Sequence, residues 1–108
     1  MDWRIEFYSS KVQTQTLELP DGILANLIRT LELMEEFGPN LGRPHTAPLG
    51  KGLFEVRAKG PEGIARSFFC CVQDQRIMIL HTIIKKGMKI PKKDLNPAIK
   101  RMKEIHHG

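Results

Sequence analysis

The sequence predicts a small α+β domain, in which two N-terminal helices and one C-terminal helix pack a mainly antiparallel sheet of about four strands. Three observations support this fold class. Residues 3–8 alternate in polarity with the period of a strand, residues 23–34 carry apolar side chains at helical spacing, and residues 53–84 contain three strand-like runs separated by short turns. A chain of 108 residues can bury one hydrophobic core, so we expect a single domain over residues 1–108.

The N-terminal part is predicted to form a strand over residues 3–8, a short helix over residues 11–18 and then a longer helix. Pro20 suits the first turn of this longer helix, and Gly38-Pro39 ends it. Its apolar stripe consists of Ile23, Leu24, Leu27, Ile28, Leu31 and Met34. Residues 38–52 contain three prolines and four glycines, which predicts a surface loop. His45 lies in this loop without a companion ligand.

The central part is predicted to form strands over residues 53–59, 64–73 and 76–84. A two-residue turn at Asp74-Gln75 would set the second hairpin. The first hairpin would turn at Gly60-Pro61-Glu62-Gly63, and in its register Arg57 faces Arg66. In the register of the second hairpin Phe68 faces His81.

This register separates two faces of the predicted sheet. The apolar face, expected under the helices, carries Phe54, Val56, Ala58, Ala65, Phe69, Cys71, Met78, Leu80 and Ile84. The other face carries the polar residues Glu55, Arg57, Arg66, His81 and Lys85 among Phe68, Cys70 and Ile79. Two arginines opposite each other repel, so we expect an anion to bind between them.

A basic helix is predicted after Pro91. Asp94 would cap it, which would place Pro97 in the first turn. Its apolar stripe is Leu95, Ala98, Ile99, Met102 and Ile105. The final residues, 106–108, are predicted to be a frayed end.

Charge is distributed unevenly along the chain. Residues 1–50 hold four Lys/Arg and seven Asp/Glu, a net charge of −3, whereas residues 51–108 hold thirteen and five, a net charge of +8. This asymmetry is typical of a nucleic-acid-binding surface, and a solvated lysine-rich surface is the alternative.

Several classes of protein are not indicated. No apolar run approaches the roughly 20 residues of a membrane span, and no apolar signal region follows Met1, so we expect a cytoplasmic protein without membrane contact. Cys70 and Cys71 are adjacent, and we interpret them as small buried hydrophobes in a reducing compartment. The acidic residues are scattered, so no metal and no cofactor are expected.

The polar face suits the binding and cleavage of RNA, whose 2′-OH is a built-in nucleophile. Because arginine does not deprotonate in proteins, Arg57 and Arg66 are candidates for clamping the phosphate. His81, Lys85 and Lys86 are candidates for proton transfer. Five further lysines are candidates for binding RNA phosphates: Lys51, Lys59, Lys89, Lys92 and Lys93.

The motifs, taken together, resemble those of the RelE/HigB superfamily of toxins, in particular its phage-derived toxin-like branch. The similarity rests on Gly-Leu-Phe-Glu-Val-Arg at 52–57, Ala-Arg at 65–66, Ile-Leu-His at 79–81 and Lys-Lys-Gly-Met-Lys-Ile-Pro at 85–91, followed by the basic helix. The family's strand arginines match Arg57 and Arg66, and its paired lysines match Lys85 and Lys86. Four positions depart from the family pattern: Ala47, Phe54, Ile84 and Gly87.

This resemblance implies a RelE-like fold and a toxin of a type II toxin–antitoxin system that cleaves mRNA on the ribosome without a metal. It also implies a cognate antitoxin, often of the helix-turn-helix type, which binds operator DNA as part of the complex. The alternative hypothesis is a non-catalytic RNA-binding module or a degenerate toxin, which acts through the antitoxin and operator complex.

Overall fold

The computed structural model describes residues 2–85, 87 and 89–107. Three helices and five strands follow one another along the chain. Their bounds are β1 Arg4–Phe7, α1 Ser10–Leu17, α2 Asp21–Phe37, β2 Thr46–Gly50, β3 Leu53–Gly60, β4 Gly63–Val72, β5 Arg76–Ile84 and α3 Lys92–His107. The predicted α+β fold is confirmed. The sheet has one strand more than expected, because part of the predicted loop 38–52 forms β2.

The five strands make one sheet in the order β1-β5-β4-β3-β2. Strands β2 to β5 are antiparallel neighbours, whereas β1 runs parallel to β5. In β2, Pro48 stands opposite Phe54 of β3 on an outer strand of the sheet. A proline is tolerated on such an edge strand because its missing N–H can face solvent, and for this reason a segment with three prolines can still form a strand.

Helices α1 and α2 cover one face of the sheet. Val12 of α1 and the α2 residues Ile23, Leu27 and Met34 are buried against this face. The sheet residues in the same core are Val56, Ala58, Ala65, Phe69, Ile77 and Ile79. The apolar stripe predicted for α2 is therefore its core-facing side, although Ile28 of that stripe is exposed.

Helix α3 covers part of the opposite face. Ala98 and Met102 are buried there against Leu53, Phe68, Cys70 and Leu80. Burial raises the pKa of the Cys70 thiol to about 11, so this cysteine is a protonated core residue. No helix among the described residues is both long and apolar enough to cross a membrane.

The hairpin register is as predicted around the arginines, where Arg57 pairs with Arg66 and Phe68 with His81. The second turn is not the two-residue turn expected, since Val72 pairs with Arg76. The pairing of β4 with β5 also shifts by one residue, because Phe68 pairs with His81 and the next residue, Phe69, pairs with Ile79. Leu80 is therefore an extra residue of β5, and this bulge offsets the extra residue of the turn.

This bulge corrects the predicted faces of β5. Met78 and Leu80 lie in the core under α3 and not under α1 and α2, and Ile79 lies under α1 and α2 and not on the polar face. The side chain of Ile84 was expected under the helices and is exposed.

Three predictions for the C-terminal helix are wrong. Helix α3 begins at Lys92, so Asp94 lies in its first turn and is not the capping residue, and Pro97 lies inside the helix. Residues 106 and 107 are part of the helix and not a frayed end. Nε2 of His106 lies 3.3 Å from the carbonyl oxygen of Cys71.

The β3–β4 turn anchors the N-terminus of α2. Pro20 makes no side-chain cap, and the Glu62 carboxylate takes that role by accepting hydrogen bonds from the N–H groups of Gly22 (2.9 Å) and Ile23 (3.2 Å). The hydrogen bond from Gly22 is the main cause of the lowered pKa of Glu62. Gly60 makes this approach possible, because a Cβ there would lie 2.5 Å from the nitrogen of Ile23.

We expect Gly60→Ala to lower the free energy of unfolding by about 2 kcal/mol, because the added methyl group forces the turn away from α2. Urea unfolding followed by circular dichroism measures this change. Gly87→Ala is the matched control, since a Cβ at Gly87 meets nothing within 4 Å, and its effect should stay within about 0.5 kcal/mol. Equal stabilities of the two variants would contradict the close approach.

Candidate functional site

The polar side chains predicted on one face of the sheet lie in three rows across β3, β4 and β5. One row consists of Glu55, Phe68 and His81, and the next consists of Arg57, Arg66 and Ile83. In the third row Lys59 faces Ile64, whose carbonyl oxygen accepts a 2.7 Å hydrogen bond from the N–H of Lys85. Residues two apart on a strand share a face, so the three rows form one surface.

Glu55 lies between the two arginines. Its Oε1 is 3.5 Å from Nε of Arg57 and 3.5 Å from Nε of Arg66. We expected only an external anion to compensate the opposed arginines. The structure shows that the chain carries a carboxylate of its own there, which lowers the repulsion between them.

The three charged side chains differ in their access to solvent. The side chains of Glu55 and Arg66 are each 7% exposed, whereas that of Arg57 is 31% exposed. Removing one partner of a buried ion pair leaves the other charge uncompensated, at a cost of about 3–5 kcal/mol. Arg66 and Glu55 therefore support the fold, and Arg57 is the more accessible arginine of this group.

His81 is held by aromatic stacking and by α3. Its ring stacks on Phe68 at a centroid distance of 6.3 Å, and its Nε2 lies 3.4 Å from Oδ1 of Asp94. On the other side of the ring, a guanidinium nitrogen of Arg101 lies 3.4 Å from Nδ1. A guanidinium only donates, so Nδ1 must accept and Nε2 must carry the proton that is donated to Asp94.

Arg101 also joins α3 to β5 and to Tyr8, the residue that follows β1. It donates a 2.7 Å hydrogen bond to the carbonyl oxygen of Leu80 and lies over the ring of Tyr8. The Tyr8 hydroxyl donates to Glu104, and this hydrogen bond is the main cause of the raised pKa of Tyr8. His81 thus belongs to a polar network that attaches α3 to the sheet.

The predicted lysines that the structure describes lie in three places. Lys59 and Lys85 share the third row beside the arginines, and Lys59 is exposed. Lys51 is exposed in the β2–β3 turn at the opposite end of β3, six residues from Arg57, which is about 20 Å along an extended strand. The structure therefore does not bring Lys51 to the arginines. Lys86 lies outside the described residues.

Lys89, Lys92 and Lys93 are exposed near the start of α3. Lys89 and Lys93 line a groove of about 510 Å³ at the end of β5, which is also lined by Ile83 and Asp94. Since Ile83 pairs with Arg66, this groove adjoins the row of arginines. Among the described residues, no group of three or more His, Cys, Asp or Glu side chains could hold a metal ion.

Sequence reasoning missed the partners that hold the candidate residues. Glu55 was placed on the polar face, but its position beside both arginines was not recognised. Its two-residue spacing from Arg57 was the available signal, because such residues lie on the same side of a strand. Asp94 and Arg101 had no comparable signal, since their contacts with His81 depend on how α3 docks.

Comparison with solved structures identifies the fold. RelE in the archaeal RelE–RelB complex from Pyrococcus horikoshii OT3 is 17% identical, with a TM-score of 0.59, over 82% of this chain and 100% of that chain. A free E. coli RelE toxin with two arginine-to-alanine substitutions is 13% identical, with a TM-score of 0.60, over 94% of this chain and 99% of that chain. The fold is that of the RelE toxins.

The comparison with sequence families is more specific. The model of the phage-derived Gp49-like proteins matches residues 15–103. The chain belongs to this Gp49-like family. Among curated proteins no significant match was found.

We expect His81→Ala to lower the free energy of unfolding by about 2 kcal/mol, because the variant loses the stacking on Phe68 and the polar contacts with α3. Urea unfolding measures the loss. His45→Ala serves as the control because His45 is exposed, and its effect should stay within about 0.5 kcal/mol.

The arrangement of the ring also predicts its tautomer. In a long-range ¹H–¹⁵N NMR spectrum of the wild-type protein, His81 should show the pattern of a ring protonated at Nε2. A ring protonated at Nδ1 would show that the contact with Arg101 is absent in solution.

Proposed function

We propose that this protein is the toxin of a type II toxin–antitoxin system and that it cleaves mRNA on the ribosome. The single observation that carries the proposal is the row of Arg57 and Arg66, flanked by Lys59 and Lys85, on a RelE-type sheet. Membership of the Gp49-like family and the RelE fold support it.

The proposed chemistry uses the RNA's own nucleophile and groups of this chain. A base removes the proton of the 2′-OH, and the 2′ oxygen attacks the adjacent phosphorus. The bond from phosphorus to the 5′ oxygen breaks, which leaves a 2′,3′-cyclic phosphate and a 5′-OH after a proton reaches the leaving oxygen. Cationic groups stabilise the negative charge that builds up on the phosphate oxygens.

The two arginines differ in burial, so we assign them different roles. The partly exposed Arg57 contacts the phosphate, whereas the buried Arg66 lies at the floor of the site, where it holds Glu55 and contributes positive charge. Lys59 and Lys85 extend the positive surface along the RNA backbone, and Lys89, Lys92 and Lys93 continue it toward α3.

Proton transfer is assigned to Lys85 and Lys86 ahead of His81. The two lysines follow the end of β5 directly in the sequence, and an amine can accept a proton and return it. Both ring nitrogens of His81 face groups of α3, so the ring would have to leave Asp94 or Arg101 to exchange a proton with RNA.

The partners follow from the same proposal. The Pyrococcus horikoshii structure is that of a RelE–RelB complex, and we infer a cognate antitoxin for this chain, of the helix-turn-helix type. The ribosome and mRNA are the targets, and operator DNA is contacted only through the antitoxin complex. Such a protein acts in the cytoplasm.

A non-catalytic RNA-binding module is the second candidate, and a specific observation favours it. The structure already engages both ring nitrogens of His81 with Asp94 and Arg101 of α3, so this candidate for proton transfer is not free to act on RNA. A protein of this kind would keep the positive surface and the antitoxin contact without cleaving RNA.

Expression of the chain in a bacterium without its antitoxin should arrest growth, and Arg57→Ala should relieve the arrest. In a cleavage assay on programmed ribosomes, the variant should be about 100-fold slower, because it lacks one cationic group at the phosphate. Arg4→Ala is the matched control, since Arg4 is exposed on β1 at the far edge of the sheet. Arg66→Ala is less informative because it also breaks a buried ion pair.

A soluble, well-expressed wild-type chain that neither arrests growth nor cleaves ribosome-bound mRNA would contradict the proposal. Salt-sensitive RNA binding without cleavage would identify the non-catalytic module, because neutralised phosphates release counterions in proportion to their number.

A further inference from the structure

We propose that Glu55 is the internal counter-ion that an RNA phosphodiester replaces at Arg57, so that this carboxylate sets the affinity of the site for its substrate. The inference rests on the proposed function only in naming RNA as the ligand. The contacts that carry it belong to the chain itself: Glu55 Oε1 lies 3.5 Å from Nε of both Arg57 and Arg66.

The ion pairs of Glu55 are long. Charge-assisted hydrogen bonds between a guanidinium and a carboxylate are about 2.7–2.9 Å long, whereas both contacts here are 3.5 Å. Oε1 is buried, and within the described part of the chain it accepts no hydrogen bond. Arg57 therefore gives up little when its guanidinium turns from Glu55 to a phosphate oxygen.

The difference in exposure decides which arginine exchanges. Arg57 has a 31% exposed side chain and can swing toward solvent, whereas Arg66 is 7% exposed and stays beside Glu55. When Arg57 binds the phosphodiester, Arg66 still compensates the buried carboxylate. Arg66 is thus a positioning residue for Glu55.

The charges of the group also fit an exchange. Two guanidinium groups and one carboxylate carry a net charge of +1, which one phosphodiester neutralises. Without the charge of Glu55 the group would carry +2 and attract an anion more strongly. Glu55 therefore weakens binding, which allows a cleaved product to leave.

The test is the affinity of Glu55→Gln for a short single-stranded DNA oligonucleotide, which lacks the 2′-OH and cannot be cleaved by the proposed route. Fluorescence anisotropy at low salt should show binding about fivefold tighter than that of the wild type. Glu36→Gln removes the same charge from an exposed position on α2 and should change the affinity by less than about twofold.

A second variant separates exchange at Arg57 from a general charge effect. In the Arg57→Ala background, Glu55→Gln should no longer tighten binding, because the guanidinium that exchanges is absent. Unchanged or weaker binding by folded Glu55→Gln, a gain that persists without Arg57, or no binding by either the wild type or Glu55→Gln would each overturn the inference.

A wild-type experiment keeps the inference testable if Glu55→Gln does not fold. When the oligonucleotide is added to isotope-labelled protein, the Nε signal of Arg57 and the carboxyl carbon signal of Glu55 should shift with the same titration curve. A shift of Arg57 alone would overturn the exchange. Neither experiment involves ribosomes, so failure of mRNA cleavage would count against the proposed function only.

Discussion

The buried ion pair between Glu55 and Arg66 is the constraint on which this surface depends. Each side chain is 7% exposed, and neither charge can be buried at this depth without the other. Because the pair lies within the hairpin of β3 and β4, it requires the register in which Arg57 faces Arg66. The same register that satisfies the buried charges therefore also presents Arg57 to solvent.

Docking of α3 involves only part of the second face of the sheet. Leu80 is the extra residue of β5, and its carbonyl oxygen accepts a hydrogen bond from Arg101. The bulge at this residue directs both Leu80 and His81 toward α3. Asp94 holds the same histidine near the start of the helix. The network that fastens α3 thus ends at His81, one row before the arginines.

The sequence predicted the order of elements and the register at the arginines, since strand period and turn residues are local properties of the chain. It did not predict the bulge at Leu80. The extra residue of the turn and the extra residue of the bulge offset each other, so the register at the arginines is the same as with a two-residue turn and no bulge. The pairing beyond the bulge was therefore correct, while Met78, Ile79 and Leu80 were assigned to the wrong faces. The β2 strand was missed for a different reason, since an edge strand tolerates Pro48, which normally argues against a strand.

The candidate site was predictable as a set of residues but not as an arrangement of charges. Strand spacing placed Glu55, Arg57, Arg66 and Lys85 on one face, yet only the packed structure shows which side chain is buried and which is open. The sequence pattern alone does not distinguish the burial of Arg57 from that of Arg66, because both are strand arginines at facing positions. Burial separates them into a partly exposed residue and one that compensates a buried carboxylate. The charge of Glu55 lowers the repulsion between the two facing arginines, so the folded sheet can hold both of them at paired positions.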